Sequence, residues 1–328
     1  MFESVSAFSP GEVIFFGEHS VVYGKTAVAA AITRGIEVEG ALQERGVEIR
    51  SPLGSFKAEL GNFSLMKVQA GELLLPFEPL ISGLLTKFRR SVGFKVSIRS
   101  SIPEQSGLAS SAAVSSALIA LILNLLDQRL TREEQVNLVY ESELRIQKRG
   151  SILGSACTVN GGFVSVSNGK WRTQAIDSSG LSLAVIDSGE RCATAVTTAS
   201  VKKQLDENPR GIESLFNEMD LLAQEGLASL ESKDWKKTGT LMNQNQKFLQ
   251  ELGVSTEKID RLIQDISDTV YGAKITGAGG GGCIFALPKE GAEPKIRGIA
   301  ERLGCRLLEA QIRTEGVSCV PRQSVCKP

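Results

Sequence analysis

A single histidine, His19, stands in the whole 328-residue chain. That scarcity removes the usual ligand set of a zinc centre, so any metal is expected to be Mg²⁺ held by oxygen ligands. Paired cysteines are missing too. Cys157, Cys192, Cys283, Cys305, Cys319 and Cys326 are scattered with no CxxC spacing, which argues against a disulfide framework and for reduced thiols in the cytoplasm. No basic, then apolar, then small-residue leader opens the chain, so no export signal is read. The longest apolar run, ALIALILNLL at 117–126, includes Asn124 and is too short to span a bilayer; it reads as a buried helix. Charge of one sign is lacking as well: Lys+Arg and Asp+Glu number 37 each. No bulk basic field exists to draw in a nucleic acid, although a local cationic pocket stays open.

What is present is globular. Hydrophobic residues make up 42% and charged residues 23%, and the length suits two domains with a core each. Residues 11–17 form a short apolar segment, 36–50 alternate, and 94–99 (FKVSIR) alternate cleanly, as strands do. Residues 52–72 read as loops and short strands. Thr131 with Glu134 predicts a capping box for a helix running to about Arg149. After FVSV at 163–166, the strand LSLAVID at 181–187 is expected to open a second domain. A helical block at 201–252, broken near Gly226 and Asp234, comes next, then a helix at 256–270. Strands at 273–275, 283–287 and 306–312 and a helix near 296–303 complete an α+β chain, divided as residues 1–170 and 171–328.

Three segments carry chemistry. Residues 103–113 (PEQSGLASSAA) run from a small-residue loop straight into a helix, presenting unpaired backbone N–H groups at a positive helix end. That is either an anion site suited to a triphosphate, with Ser110 and Ser111 adding hydroxyls, or an ordinary Ser-capped helix. The pattern is neither a Walker loop nor GxGxxG. Residues 274–283 (KITGAGGGGC) set a glycine run between two apolar strands, where backbone can approach a ligand closely. Residues 9–24 (SPGEVIFFGEHSVVYG) pack polar groups into a tight turn after a strand; alone, His19 there reads as structural.

Together and in this order, the three resemble the signature motifs of the GHMP kinases. GEHSVVYGK at 17–25, and MNQNQ at 242–246 leading to LGVS at 252–255, look most like the mevalonate kinase branch. The resemblance spans residues 9 to about 316. It implies an N-terminal domain of the ribosomal S5 domain 2-like type with a left-handed βαβ unit, and a ferredoxin-like C-terminal domain. ATP and an alcohol would meet in the cleft between them. By position, Gly107, Leu108, Ala109, Ser110, Ser111 and Ala112 would wrap the phosphates, and Ser111 and Glu143 would hold Mg²⁺. Glu18, His19, Tyr23, Thr194, Gly277, Ala278 and Gly279 would shape the substrate side. The implied activity converts mevalonate to phosphomevalonate in isoprenoid biosynthesis, without nucleic acid or membrane, and a homodimer is compatible with it.

The pattern breaks at two positions. Mevalonate kinases carry Lys after the first Pro-Gly and Asp before the second-domain Gly-Gly, a pair that handles the substrate hydroxyl's proton. Here those positions are Glu12 and Gly154, the latter counted without a gap from Glu143. The cations nearest in sequence, Lys148 and Arg149, also fit simple charge compensation of a helix C-terminus. Three expectations follow. The chain could be a mevalonate kinase without a base, since a loose phosphoryl-transfer transition state leans on positioning. It could be a kinase for a relative such as a phosphomevalonate, met by Lys148 or Arg149. Or it could be a ligand-binding homologue that transfers nothing. Glu12 itself could supply the missing carboxylate from across the cleft.

Overall fold

Phe15 and Phe285 meet edge to face, ring centroids 4.9 Å apart, at the junction of two sheets. The computed structural model describes residues 4–52, 54–147 and 150–321. The chain runs β1 (Val5–Phe16), β2 (Ala27–Gln43), β3 (Val47–Ser51), β4 (Gly54–Leu60), β5 (Leu65–Ala70), α1 (Glu78–Lys87), β6 (Gly93–Ser100), α2 (Ser110–Leu125) and α3 (Arg132–Gln147). It continues through α4 (Ile152–Asn160), β7 (Phe163–Ser167), β8 (Lys170–Gln174), β9 (Ala184–Asp187), α5 (Thr194–Glu207), α6 (Pro209–Glu231) and α7 (Trp235–Glu251). The last elements are α8 (Glu257–Ile266), β10 (Val270–Ile275), β11 (Cys283–Pro288), α9 (Glu293–Arg302), β12 (Arg306–Leu308) and β13 (Ser318–Pro321).

The first sheet has the order β13-β1-β2-β6-β3-β4-β5, with β7 and β8 branching from β2; the second is β10-β11-β9-β12. Among the described residues only the β3–β6 pairing is parallel. Strand β13 returns from the far end of the chain to pair with β1, and Ile312 bridges to Ile32. Strand β13, and β8 apart from Lys170, therefore belong to the first sheet although they follow residue 170 in the chain.

Helix α2 is apolar on nearly every side because it is buried on nearly every side, lying on β1 and β2. The capping box forms as the sequence predicts: Thr131 N donates to Glu134 Oε2 at 2.8 Å, and Glu134 N to Thr131 Oγ1 at 3.2 Å. Other expectations need correction. Strand β1 starts at Val5 rather than Gly11, kinked by a register shift at Pro10/Gly11 that hid its continuity. The helical block starts at Thr194 and breaks at Asn208, whose side chain accepts from Gly211 N with Pro209 at the first turn. It does not break at Gly226. That glycine is there for packing: a Cβ would stand 2.3 Å from the Phe16 ring. The helix expected at 256–270 stops at Ile266, in a single 3₁₀ turn, and the strand expected at 306–312 shortens to Arg306–Leu308. Helices α1 and α4 form where the sequence pattern predicts no element.

The five described cysteines are unpaired; Cys326 lies outside the described residues. Among the described residues no helix is long and apolar enough to cross a membrane.

Candidate active site

The expected phosphate loop and the glycine run touch backbone to backbone. A Cβ on Gly107 would lie 2.1 Å from Thr276 O, and one on Gly277 would lie 2.6 Å from the Cα of Gly107. Only glycine fits either place, and both take positive φ, 77° and 78°. The loop ends at Ala109, left-handed at φ 56°, which caps α2 with no side-chain bond and leaves the first-turn N–H groups free to face a ligand. Strand β1 is tied to the same loop, since Glu12 N donates to Leu108 O at 3.2 Å.

These elements enclose a cleft of about 150 Å³. Of the residues expected around the nucleotide, Gly107, Ala109 and Ala112 line it, Leu108 is buried behind, and Ser110 and Ser111 sit half-buried on the first turn of α2. Of those expected around the substrate, Glu18, His19, Thr194, Gly277 and Ala278 line it. Tyr23 does not. It stacks on Phe216 at 4.9 Å and faces a separate hollow with Lys25 and Asn217. Gly279 is also set apart, close against the Val254 carbonyl.

The expected metal ligands form a small network. Ser111 Oγ donates to Glu143 Oε2 at 2.8 Å, and Gln147 Nε2 donates to the same oxygen at 2.9 Å. Glu143 Oε1 is buried with no partner. Burial pushes the Glu143 carboxyl up to about 7, against the lowering effect of Ser111. Gln147 was not foreseen, although its i+4 spacing from Glu143 on α3 is the signal that places it there.

Glu12 and Gly154 face each other. A Cβ at 154 would stand 3.1 Å from Glu12 Oε1 and 3.5 Å from the Ala109 Cβ. Glu12 is 4% exposed, and its Oε2 has no partner. Burial raises its carboxyl to about 8; the Cys157 thiol, hydrogen-bonded to it from α4, opposes that shift, while Glu143 and Glu18 add to it. Lys148 and Arg149 lie outside the described residues.

The first-motif turn is pinned to the second sheet. Lys274, fully buried, donates to Glu18, to Ile14 O at 3.0 Å and to Ile275 O at 2.6 Å. Asn245 Nδ2 donates to Glu18 Oε2 at 3.0 Å. Burial raises Glu18 and lowers Lys274, and their mutual attraction opposes both shifts. His19, at φ 62°, places Nε2 2.9 Å from Ala278 O. A carbonyl only accepts, so Nε2 carries the hydrogen and Nδ1 is left as an acceptor. Burial lowers the imidazole to about 4, which keeps it neutral at pH 7.

A loop-capped anion site, an oxygen-only ligand pair and a polar turn in one interdomain cleft are the parts of a small-molecule kinase, and the comparisons agree. Residues 79–162 match the family described as GHMP kinases N terminal domain, and residues 227–304 match GHMP kinases C terminal. The chain belongs to the GHMP kinases. It is 35% identical to the mevalonate kinase of Thermococcus sibiricus over 87% of this chain and 90% of that one. To the mevalonate kinase of Pyrococcus horikoshii it is 35% identical over 88% and 89%. The crystal structure of the Methanococcus jannaschii mevalonate kinase superposes with a TM-score of 0.79 at 24% identity, covering 95% of this chain and 99% of that chain. The two-domain GHMP kinase fold follows. So does the class of chemistry, transfer of a phosphoryl group to an alcohol, with ATP use implied by the family.

Proposed function

We propose that this GHMP kinase phosphorylates mevalonate from ATP, as a cytoplasmic step of isoprenoid biosynthesis, and that Glu12 replaces the missing aspartate. The observation that carries the second part is the 3.1 Å between Glu12 Oε1 and the space where a side chain at 154 would begin. The first part is supported by relatives named mevalonate kinase over most of the chain. A further support is a first-motif turn that puts Glu18 and His19 in the cleft.

In this reading the Gly107–Ala109 loop and the first-turn N–H groups of α2 bind the triphosphate. Ser111 and Glu143 fit Mg²⁺: a hydroxyl and a buried carboxylate with an unpartnered oxygen are the hard donors that ion takes. The bound ion would neutralise phosphate charge. The His19 Nδ1 acceptor and the Thr194 hydroxyl orient the alcohol. Its oxygen attacks the γ-phosphorus, the bond to the β,γ-bridging oxygen breaks, ADP leaves, and Glu12 takes the hydroxyl proton. Packing of Gly107 on Thr276 and Gly277 holds the phosphate loop against the glycine run.

The test is ³¹P NMR of the mixture formed from mevalonate, ATP and Mg²⁺. A new phosphomonoester on mevalonate supports the reading. ADP formation with only phosphomevalonate as acceptor, or no transfer although Mg·ATP raises the melting temperature, rejects it.

A further inference from the structure

The cleft carries three carboxylates and, among the described residues lining it, no lysine or arginine. Glu18 is neutralised from behind by Lys274. Glu12 and Glu143 are not: they are 4% and 8% exposed, both line the cleft, and each keeps one buried oxygen, Oε2 and Oε1, without a partner. Unpaired buried carboxylate oxygens are costly and call for a donor or a cation. The two groups also repel each other, which contributes to the raised Glu12 pKa. In the pattern the sequence resembles, position 12 is a lysine, so a positive charge has left the place where Glu12 now adds a negative one.

From this geometry we propose that Glu12 and Glu143 together bind a divalent cation of the Mg²⁺ class without any nucleotide, replacing the lost lysine charge with a metal charge. Among the described residues no three His, Cys, Asp or Glu side chains gather as a metal cage. Mg²⁺ needs none, because it commonly keeps several waters and takes one or two carboxylates. Ser111 stands beside Glu143 as a further oxygen. Glu12 can serve both roles: Oε1 lies next to Gly154 while Oε2 is the oxygen left over. The site concerns the cation alone and holds whichever alcohol is the substrate.

The experiment titrates the ligand-free, full-length protein with Mn²⁺, following free Mn²⁺ by EPR, with Mg²⁺ as competitor. One saturable Mn²⁺ per chain is expected, in the range of about 0.1–1 mM typical of weak oxygen-ligand sites. Glu12→Gln and Glu143→Gln should each weaken it by at least the roughly 10- to 100-fold that even an outer partner is worth to a metal site. Glu12→Lys should abolish it, and far-UV circular dichroism on each variant separates lost binding from lost fold. No saturable Mn²⁺ in the wild type would mean the pair is simply protonated. Unchanged binding in Glu12→Gln would leave the metal to Glu143 and Ser111. Either result overturns the proposal, and neither bears on whether mevalonate is phosphorylated.

Discussion

Glu12 Oε1 lies 3.1 Å from the point where a Cβ on Gly154 would sit. The two positions belong to β1 and α4, which pack against each other, and one fills the space the other vacates. A swap of this kind couples the residues: adding an acid at 154 crowds and repels Glu12, whereas adding it together with a cation at 12 recreates an attractive pair.

That coupling can be measured by a double-mutant cycle. Gly154→Asp alone should destabilise by about 1–3 kcal/mol, the common range for a crowded or unpaired buried charge. Glu12→Lys with Gly154→Asp should recover part of it, with an interaction energy of about 0.5–3 kcal/mol. Additive urea-unfolding energies would show that the two side chains do not meet.

Stability should fall with rising pH. Glu12 and Glu143 have folded values near 8 and 7 against 4.5 in the free residue, so the folded protein holds protons that the unfolded chain releases. Their contribution is complete below about 4.5 and is lost as pH climbs through 7 and 8. His19, lowered to about 4 from 6.5, acts the other way and costs stability only as pH drops below 6.5. Melting temperatures of metal-free protein at pH 5.5 and 8.5 should therefore differ, and Glu12→Gln should narrow the gap. An equal gap in the variant would place the titration elsewhere.

Lys274 fixes the first-motif turn through a buried ion pair. Lys274→Met should cost about 3–5 kcal/mol because it strands Glu18, and adding Glu18→Gln should return most of that loss. Chemical denaturation of the two variants decides it. If the double variant is no more stable than the single, the lysine matters for its two hydrogen bonds to Ile14 O and Ile275 O and not for Glu18's charge.

The parts of the site that sequence could reveal are those written in local backbone chemistry. The small-residue loop before α2 and the glycine run after β10 announce close backbone approach, and the structure brings them into contact at Gly107 and Gly277. What sequence could not show is contact between distant positions. Glu12 and Gly154, the Cys157 thiol on Glu12, and Lys274 behind Glu18 all depend on how two sheets and a helix meet. Tyr23 sits in a motif yet turns toward Phe216, because a four-residue 3₁₀ turn rotates it away from His19. Gly226 misled in the opposite sense: glycine lowers helix propensity, but here its missing side chain admits the Phe16 ring and α6 runs on. Helices α1 and α4 bear no motif, and α4 matters only because Gly154 and Cys157 ride on it.

The most direct test of Glu12 as the relocated carboxylate is kcat for the wild type and Glu12→Gln, with mevalonate and Mg·ATP both saturating. A general base at this position predicts a loss of about 10² to 10⁴ in kcat, with the ATP KM little changed. A loss smaller than about tenfold, below what a general base contributes, or an inactive wild type made active by Glu12→Lys with Gly154→Asp, would contradict it.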